Sequence, residues 1–272
     1  MKAVVLAAGL GTRLQPYTLL FPKPMLPLGN KPLLEYIIEW ITESEKIDQI
    51  ILCLSYMHRI IEDYFEDGSR FGIKIKYSNT AKPMGTAGQL KAAEKLIRRY
   101  DGDTSFVCVY SDHLYDFSLD EMINAHIHYN AFITIGLLPY KTRLKYGFID
   151  IHEKEVKCTA SKVRITNSNN GEKKISEQEH IIKDHQCRVT AWREKPEING
   201  LINIGCYVMK PGFLEFIPKS VPFRMDDAIG KILHQKKFVY GFVIRSSNFI
   251  DIGDKGVYLK MQREYLKKLK GF

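Results

Sequence analysis

The chain has 272 residues, 45% hydrophobic and 26% charged, which is enough apolar material for one sizeable core. That composition excludes disorder along the whole length. Forty Lys and Arg against 31 Asp and Glu leave a net charge of +9, which favours anionic partners. The basic residues are spread along the chain, so small phosphorylated molecules are expected and nucleic acid is not. No apolar run reaches the roughly 18 residues of a bilayer span, so no membrane partner is expected either. Five cysteines (Cys53, Cys108, Cys158, Cys187 and Cys206) are odd in number and lack a C-x-x-C pair. They argue against a disulfide framework or zinc site and for a cytoplasmic setting.

Lys2 to Ala8 is continuously apolar, as in a strand buried on both faces of a parallel sheet. A glycine-rich segment follows it directly, which sets it apart from a secretion signal. Pro32 opens a helix with Leu34, Ile37, Ile38 and Ile41 at helical spacing. A strand over Gln49 to Ser55 and a helix over His58 to Phe65 come next. They are followed by a strand over Ile73 to Tyr77 and a helix over Thr86 to Arg99 that carries Leu90, Ala93 and Leu96. Ser105 to Ser111 reads as a strand, Ser118 as the cap of a helix, and Ala131 to Leu138 as another strand. This alternation predicts a doubly wound α/β sheet. From about Asp150 to Arg193 the chain is polar, and Asn167 to Gly171 reads as a turn in a small β excursion. Strands over Ile202 to Met209 and Phe238 to Arg245, and helices over Met225 to Lys236 and Asp254 to Lys270, complete the series. Trp40 and Trp192 fit packing positions. His126 and His128, two apart on a helix, point to different faces and are poor joint ligands.

The first strand runs into Gly9-Leu10-Gly11-Thr12-Arg13, and a loop leads on to Pro22-Lys23-Pro24. Leu14 stands where G-x-G-x-x-G needs its third glycine, and Thr12-Arg13 does not supply the end of a Walker loop. What remains is a phosphate loop with two fixed cations, Arg13 and Lys23, or a tight turn with two solvated basic residues. Asp112 directly follows a buried strand, at the edge where open α/β sheets bind ligands, although an Asp there also suits a turn.

Leu6-Ala-Ala-Gly-Leu-Gly-Thr-Arg13, with Pro22-Lys23-Pro24 after eight further residues, resembles the signature of the sugar-1-phosphate nucleotidyltransferases. These are Rossmann-like α/β enzymes with a mostly parallel mixed sheet. They join an NTP to a sugar 1-phosphate and release pyrophosphate. The resemblance implies that Arg13 holds the triphosphate and that Lys23 faces the α-phosphate under attack. Main chain around Leu6, Ala8, Gly9, Gly11 and Thr12, with a second loop at Pro83, Gly85 and Thr86, would bind the nucleotide, Gly85 leaving room for the base. Asp112 and Asp251 would hold Mg²⁺. His113, beside Asp112, reads as a structural residue or else as a group supporting that site. Tyr146-Gly147, Glu194-Lys195 and Asn203 resemble the sugar-phosphate side, although a Glu-Lys pair alone is more often a solvated couple. The resemblance spans nearly the whole chain, so one domain is expected. It would have a nucleotide half (1–140), a sugar half (141–253) with a polar insertion at about 151–190, and a terminal helix (254–272). Relatives form dimers or tetramers, so a homo-oligomer is expected.

Some residues depart from the pattern. Ser111 replaces the glycine that precedes the first aspartate, and Thr80 falls where thymidylyl and uridylyl relatives often carry glutamine. The loop Gly85-Thr86-Ala87-Gly88 looks more like mannose-1-phosphate guanylyltransferases. The base is therefore expected to be guanine, or else thymine or uracil, and the sugar mannose or glucose. Two competing readings are a non-catalytic regulatory subunit of this fold and a nicotinamide oxidoreductase. The first is disfavoured by the presence of Arg13, Lys23, Asp112, Lys195 and Asp251. The second is disfavoured by Leu14 and by the absence of an acidic residue after Cys53-Leu54-Ser55.

Overall fold

A computed structural model describes residues 1–98, 104–151, 189–245 and 249–269. The turn expected at Asn167 to Gly171, and with it most of the polar insertion, lies outside the described residues. Strands β1 (Lys2–Leu6), β2 (Gln49–Leu54), β3 (Lys74–Asn79) and β4 (Phe106–Tyr110) form the first half of the sheet. Helices α1 (Leu33–Thr42), α2 (His58–Phe65), α3 (Gly85–Ala92) and α4 (Leu119–His128) belong to the same half. The chain continues through β5 (Ile133–Arg143), β6 (Phe148–Ile151), β7 (Val189–Arg193), β8 (Glu197–Met209), α5 (Met225–His234), β9 (Val239–Val243) and α6 (Lys255–Leu269). The seven-stranded sheet has the order β9-β5-β8-β4-β1-β2-β3. β1 pairs in parallel with β2 and β4, and β3 in parallel with β2, whereas β8 runs antiparallel to β4. The expected doubly wound, mostly parallel α/β fold is thus present.

Alternate residues of each central strand serve opposite faces, which is why these strands read as unbroken apolar runs. Ala3, Val5, Ile50, Leu52, Val107 and Val109 pack with Ile37 and Ile41 of α1, Ile61 of α2 and Met122 of α4. Val4, Leu6, Ile51, Cys53 and Cys108 face the other way, against Ala87 and Leu90 of α3 and Ala228 and Ile232 of α5. A third, smaller core joins Leu14, Leu26, Leu28 and Leu33 to Ile252 and Tyr258, tying the loop after β1 to the chain around residue 251. The chain divides into two compact units, Met1–Pro139 with Leu201–Phe272, and Tyr140–Gly200. In the smaller unit β6 and β7 form an antiparallel pair. Among the described residues no helix is long and apolar enough to cross a membrane.

Two expectations change. The helix after Gly85 is broken: Ala93 takes φ −82, ψ 1, and a separate turn spans Glu94–Ile97. Apolar spacing runs on across the break (Leu90, Ala93 and Ile97 are all buried), so periodicity alone does not reveal it. Trp192 is 65% exposed, whereas Trp40 is buried and donates from Nε1 to the Phe117 carbonyl at 2.9 Å. Every residue of β7 is exposed, Trp192 among them.

His126 and His128 diverge as expected. His128 is exposed, while His126 is buried and bonds Thr134 Oγ1 at 2.9 Å and Ser105 Oγ at 3.0 Å. Burial lowers the His126 imidazole to about 4, with the nearby Lys210 acting in the same direction. The unfolded chain takes up this proton near pH 6.5 and the folded chain only near 4. The contribution is therefore complete above pH 6.5 and is lost as pH falls towards 4, by an amount on the order of 3 kcal/mol. Urea midpoints at pH 7 and pH 4.5 should accordingly fall further for the wild type than for His126→Asn.

Candidate active site

The loop after β1 is shaped by contacts that require glycine at one position. Gly11 takes φ +64, and its carbonyl accepts from Thr18 Oγ1 at 2.9 Å. A Cβ there would lie 2.8 Å from Thr18 Cγ2 and 3.0 Å from Lys23 Cβ, so glycine lets Lys23 pack against the loop. Pro22 and Pro24 flank Lys23 in a short 3-10 turn, and the lysine is only 8% exposed. Its Nζ reaches Oδ2 of Asp112 at 2.6 Å. Leu14, fully buried, anchors the turn that carries Arg13, which is exposed and has no ion-pair partner among the described residues.

Asp112 leaves the end of β4, where Ser111 N donates to the Leu6 carbonyl at 3.2 Å. Two very short strands, His113–Leu114 and Ile250–Asp251, then pair antiparallel, with Asp251 opposite His113. Ile252 N donates to the Asp112 carbonyl at 2.8 Å, closing the same ladder. This small pairing brings the two aspartates together from distant parts of the chain. One donor atom each from Asp112, His113 and Asp251 lie within 4.8 Å of one another. Burial tends to raise the Asp112 carboxyl, but the charges of Lys23 and His113 and the Lys23 hydrogen bond outweigh it and hold it below the usual carboxylate range. Asp251 is more open, its side chain 57% exposed, and Oδ1 accepts from Gly253 N at 2.7 Å.

A cavity of about 380 Å³ lies among these groups. Leu6, Gly9, Gly11, Thr12, Arg13, Lys23, Thr86, Asp112 and Asp251 all line it. A Cβ on Gly9 would meet nothing within 4 Å, so that part of the loop faces open space. Of the other nucleotide-side residues, Ala8 is buried behind the lining and Pro83 is exposed away from it. Gly85 lies outside this lining, in a neighbouring cavity. At φ +69 its missing Cβ would lie 2.5 Å from the Phe223 carbonyl, so close backbone packing requires glycine there. Ala87 N and Gly88 N donate to the same carbonyl, and Thr86 Oγ1 accepts from Met225 N at 2.9 Å, clamping the loop to the start of α5.

The chain matches the nucleotidyl transferase family over residues 2–268. It belongs to that family. Over 267 residues it is 35% identical to D-glycero-alpha-D-manno-heptose 1-phosphate guanylyltransferase of Aneurinibacillus thermoaerophilus, covering 97% of this chain and 98% of that protein. It is 28% identical to mannose-1-phosphate guanyltransferase beta-B of Xenopus laevis, across 99% of this chain and 66% of that longer protein. The fold is similar to the crystal structure of HddC from Yersinia pseudotuberculosis complexed with GMP-PN. The TM-score is 0.65 and the identity 23%, with 97% and 99% of the two chains covered. The expected reaction class, nucleotidyl transfer from an NTP to a sugar 1-phosphate, therefore holds.

Three residues of this nucleotidyl transferase that spacing did not single out also line the cavity: Gln89, Tyr110 and Gly253. Gln89 is buried and its Oε1 accepts from Ala8 N at 3.4 Å, joining the segment after β1 to α3. Its place one helical turn after Gly85 and Thr86 is the signal that could have found it. Asn203 lines a neighbouring cavity of about 740 Å³ with Gly85, Thr86 and Tyr110. Its amide is spent internally, on the Tyr207 hydroxyl at 2.6 Å and on Gly205 N at 2.9 Å. In the smaller unit a Cβ on Gly147 would lie 3.2 Å from Glu194 Oε2 and 3.1 Å from the Trp192 ring. Glu194 and Lys195 approach only to 3.9 Å, and Tyr146 is 81% exposed.

The Lys23–Asp112 pair is buried enough for its loss to be felt. Lys23→Ala leaves a half-buried carboxylate unpaired and should cost about 3 kcal/mol. Adding Asp112→Asn should restore part of it, and urea unfolding of the four-member cycle should give a coupling of about 1 kcal/mol or more. Simple additivity would show that the pair does not hold the cavity together.

Proposed function

We propose that this protein transfers GMP from GTP to a sugar 1-phosphate of manno configuration, either D-glycero-α-D-manno-heptose 1-phosphate or mannose 1-phosphate. The observation that carries the reading is the lining of one cavity by Lys23, Arg13 and two aspartates around a glycine loop. The match to a guanylyltransferase over nearly the full length of both proteins supports the choice of base and sugar.

In this reading the exposed Arg13 guanidinium binds the β and γ oxygens as a fork. Lys23, held extended by Asp112, lies against the α-phosphate and offsets the charge that builds there. A phosphate oxygen of the sugar 1-phosphate bonds to the α-phosphorus, the bond from that phosphorus to the bridging β oxygen breaks, and pyrophosphate leaves. The nucleophile is already an anion, so no base is needed. Glu194 and Lys195 are assigned to the sugar and its phosphate, and Tyr146, Gly147 and Asn203 are assigned to the same substrate. Lys195 would restrain the attacking group before the chemical step.

The hard oxygens of Asp112 and Asp251 fit Mg²⁺, and the openness of Asp251 leaves room for the water and phosphate ligands that this ion retains. Bound there, Mg²⁺ would neutralise triphosphate charge. We also place the enzyme in the cytoplasm as a homo-oligomer. Cys53, Cys108 and Cys206 are free and buried, and burial pushes the Cys53 thiol up to about 12, which suits a reducing compartment. The oligomer rests on the family resemblance.

Released pyrophosphate, measured for GTP, dTTP and UTP against heptose, mannose, glucose and N-acetylglucosamine 1-phosphates with Mg²⁺, should be greatest for GTP with a manno sugar. No turnover with any pair would overturn the proposal. Lys23→Ala should lower kcat by about 10²-fold with little change in KM. Lys195→Ala should chiefly raise the KM for the sugar phosphate.

A further inference from the structure

His113 enters the cavity between the two aspartates, and its surroundings fix which ring nitrogen does what. Nδ1 lies 2.8 Å from the Ile204 carbonyl, an oxygen that can only accept, so Nδ1 carries a hydrogen. The Tyr115 hydroxyl, 3.5 Å from the same nitrogen, donates to the Gly205 carbonyl at 3.2 Å. The ring is held edge-on to Phe249, with centroids 5.0 Å apart, and packs beside Tyr110 at 5.5 Å. At Gly205, φ +68, an added Cβ would come within 2.8 Å of Nδ1, so glycine there makes room for the imidazole.

The imidazole is therefore clamped by backbone and aromatic rings, and the residue is 9% exposed. Its other nitrogen, Nε2, faces the cavity 3.6 Å from Oδ1 of Asp112 and 3.6 Å from Oδ1 of Asp251. Those separations are too long for hydrogen bonds. They suit three donors arranged around one shared point. The other oxygen of Asp112 is taken by Lys23, which leaves Oδ1 for that point. A histidine whose Nδ1–H donates to a backbone carbonyl while Nε2 faces carboxylates has the support that metal-ligating imidazoles use.

We propose that Nε2 of His113 is a third protein ligand of the divalent cation, so that the site is two carboxylates and an imidazole and binds Mn²⁺ more tightly than Mg²⁺. The inference rests on the metal-dependent reading above. Mg²⁺ favours oxygen donors alone, whereas an imidazole nitrogen raises affinity for first-row transition ions. Gly205 then acts as a positioning residue, through the ring it admits.

Pulsed electron paramagnetic resonance of the full chain loaded with Mn²⁺ alone tests this directly, because a bound imidazole nitrogen modulates the manganese echo. The wild type should show ¹⁴N coupling, and both His113→Asn and Asp251→Ala should lose it. By calorimetry, His113→Asn should bind Mn²⁺ at least about tenfold more weakly, with a smaller loss for Mg²⁺. Absence of Mn²⁺ binding, bound Mn²⁺ without nitrogen coupling, or coupling that survives both substitutions would overturn the proposal. The wild-type spectrum needs no variant, so a misfolded His113→Asn protein cannot hide the outcome. Pyrophosphate release without nitrogen coupling removes only the histidine ligand, whereas nitrogen coupling without turnover removes the reaction and keeps the ligand.

Discussion

Lys23 and Asp112 reach one another from a proline-flanked turn and from the end of a central strand. Their 2.6 Å contact is what turns a surface loop into the wall of a cavity. A lysine this buried has to be paired, and pairing it fixes both the loop and the carboxylate. The glycine at 11 makes the approach possible, because any side chain there would meet Thr18 and Lys23. On the other side, the two-residue ladder between His113 and Asp251 draws the second carboxylate alongside. Each device is small. Together they collect charge from positions 13, 23, 112 and 251 around one space.

That arrangement suits a polyanion. Arg13 is exposed and carries no ion pair among the described residues, Lys23 is preset by its partner, and Asp251 keeps more than half of its surface open. The protein supplies fixed charge and positioning, which is most of what phosphoryl chemistry asks of it. The sheet provides the rigid support, since both of its faces are sealed by helices and the loops at the strand ends are left around the cavity.

Much of this was legible in the sequence, for physical reasons. Strands buried on both faces are forced to be apolar throughout, so Lys2 to Ala8 and Gln49 to Ser55 announced themselves. Helices packed on one side show their stripe, as at Leu34, Ile37, Ile38 and Ile41. Residues singled out far apart along the chain, from Leu6 to Asp251, do meet in one cavity, because their motifs sit at strand ends. What stayed hidden depends on contacts that local spacing does not encode. The break at Ala93 lies inside a continuous apolar stripe, and the reason for Gly85 is a carbonyl at Phe223, far along the chain. Trp192 looked like a packing residue because large apolar side chains usually are, yet it lies on a strand whose residues are all exposed. His113 was legible only as a neighbour of Asp112. Its orientation comes from a carbonyl at Ile204 on another strand.

The central claim is that Asp112 and Asp251 act on one ion beside one triphosphate. A crystal of the protein grown with Mn²⁺ and a non-hydrolysable GTP analogue, measured at the manganese edge, tests it most directly. A single anomalous peak within about 2.5 Å of an oxygen of each aspartate is the predicted result, with phosphates against Arg13 and Lys23. A peak held by only one aspartate, or nucleotide bound away from the glycine loop, would contradict the account.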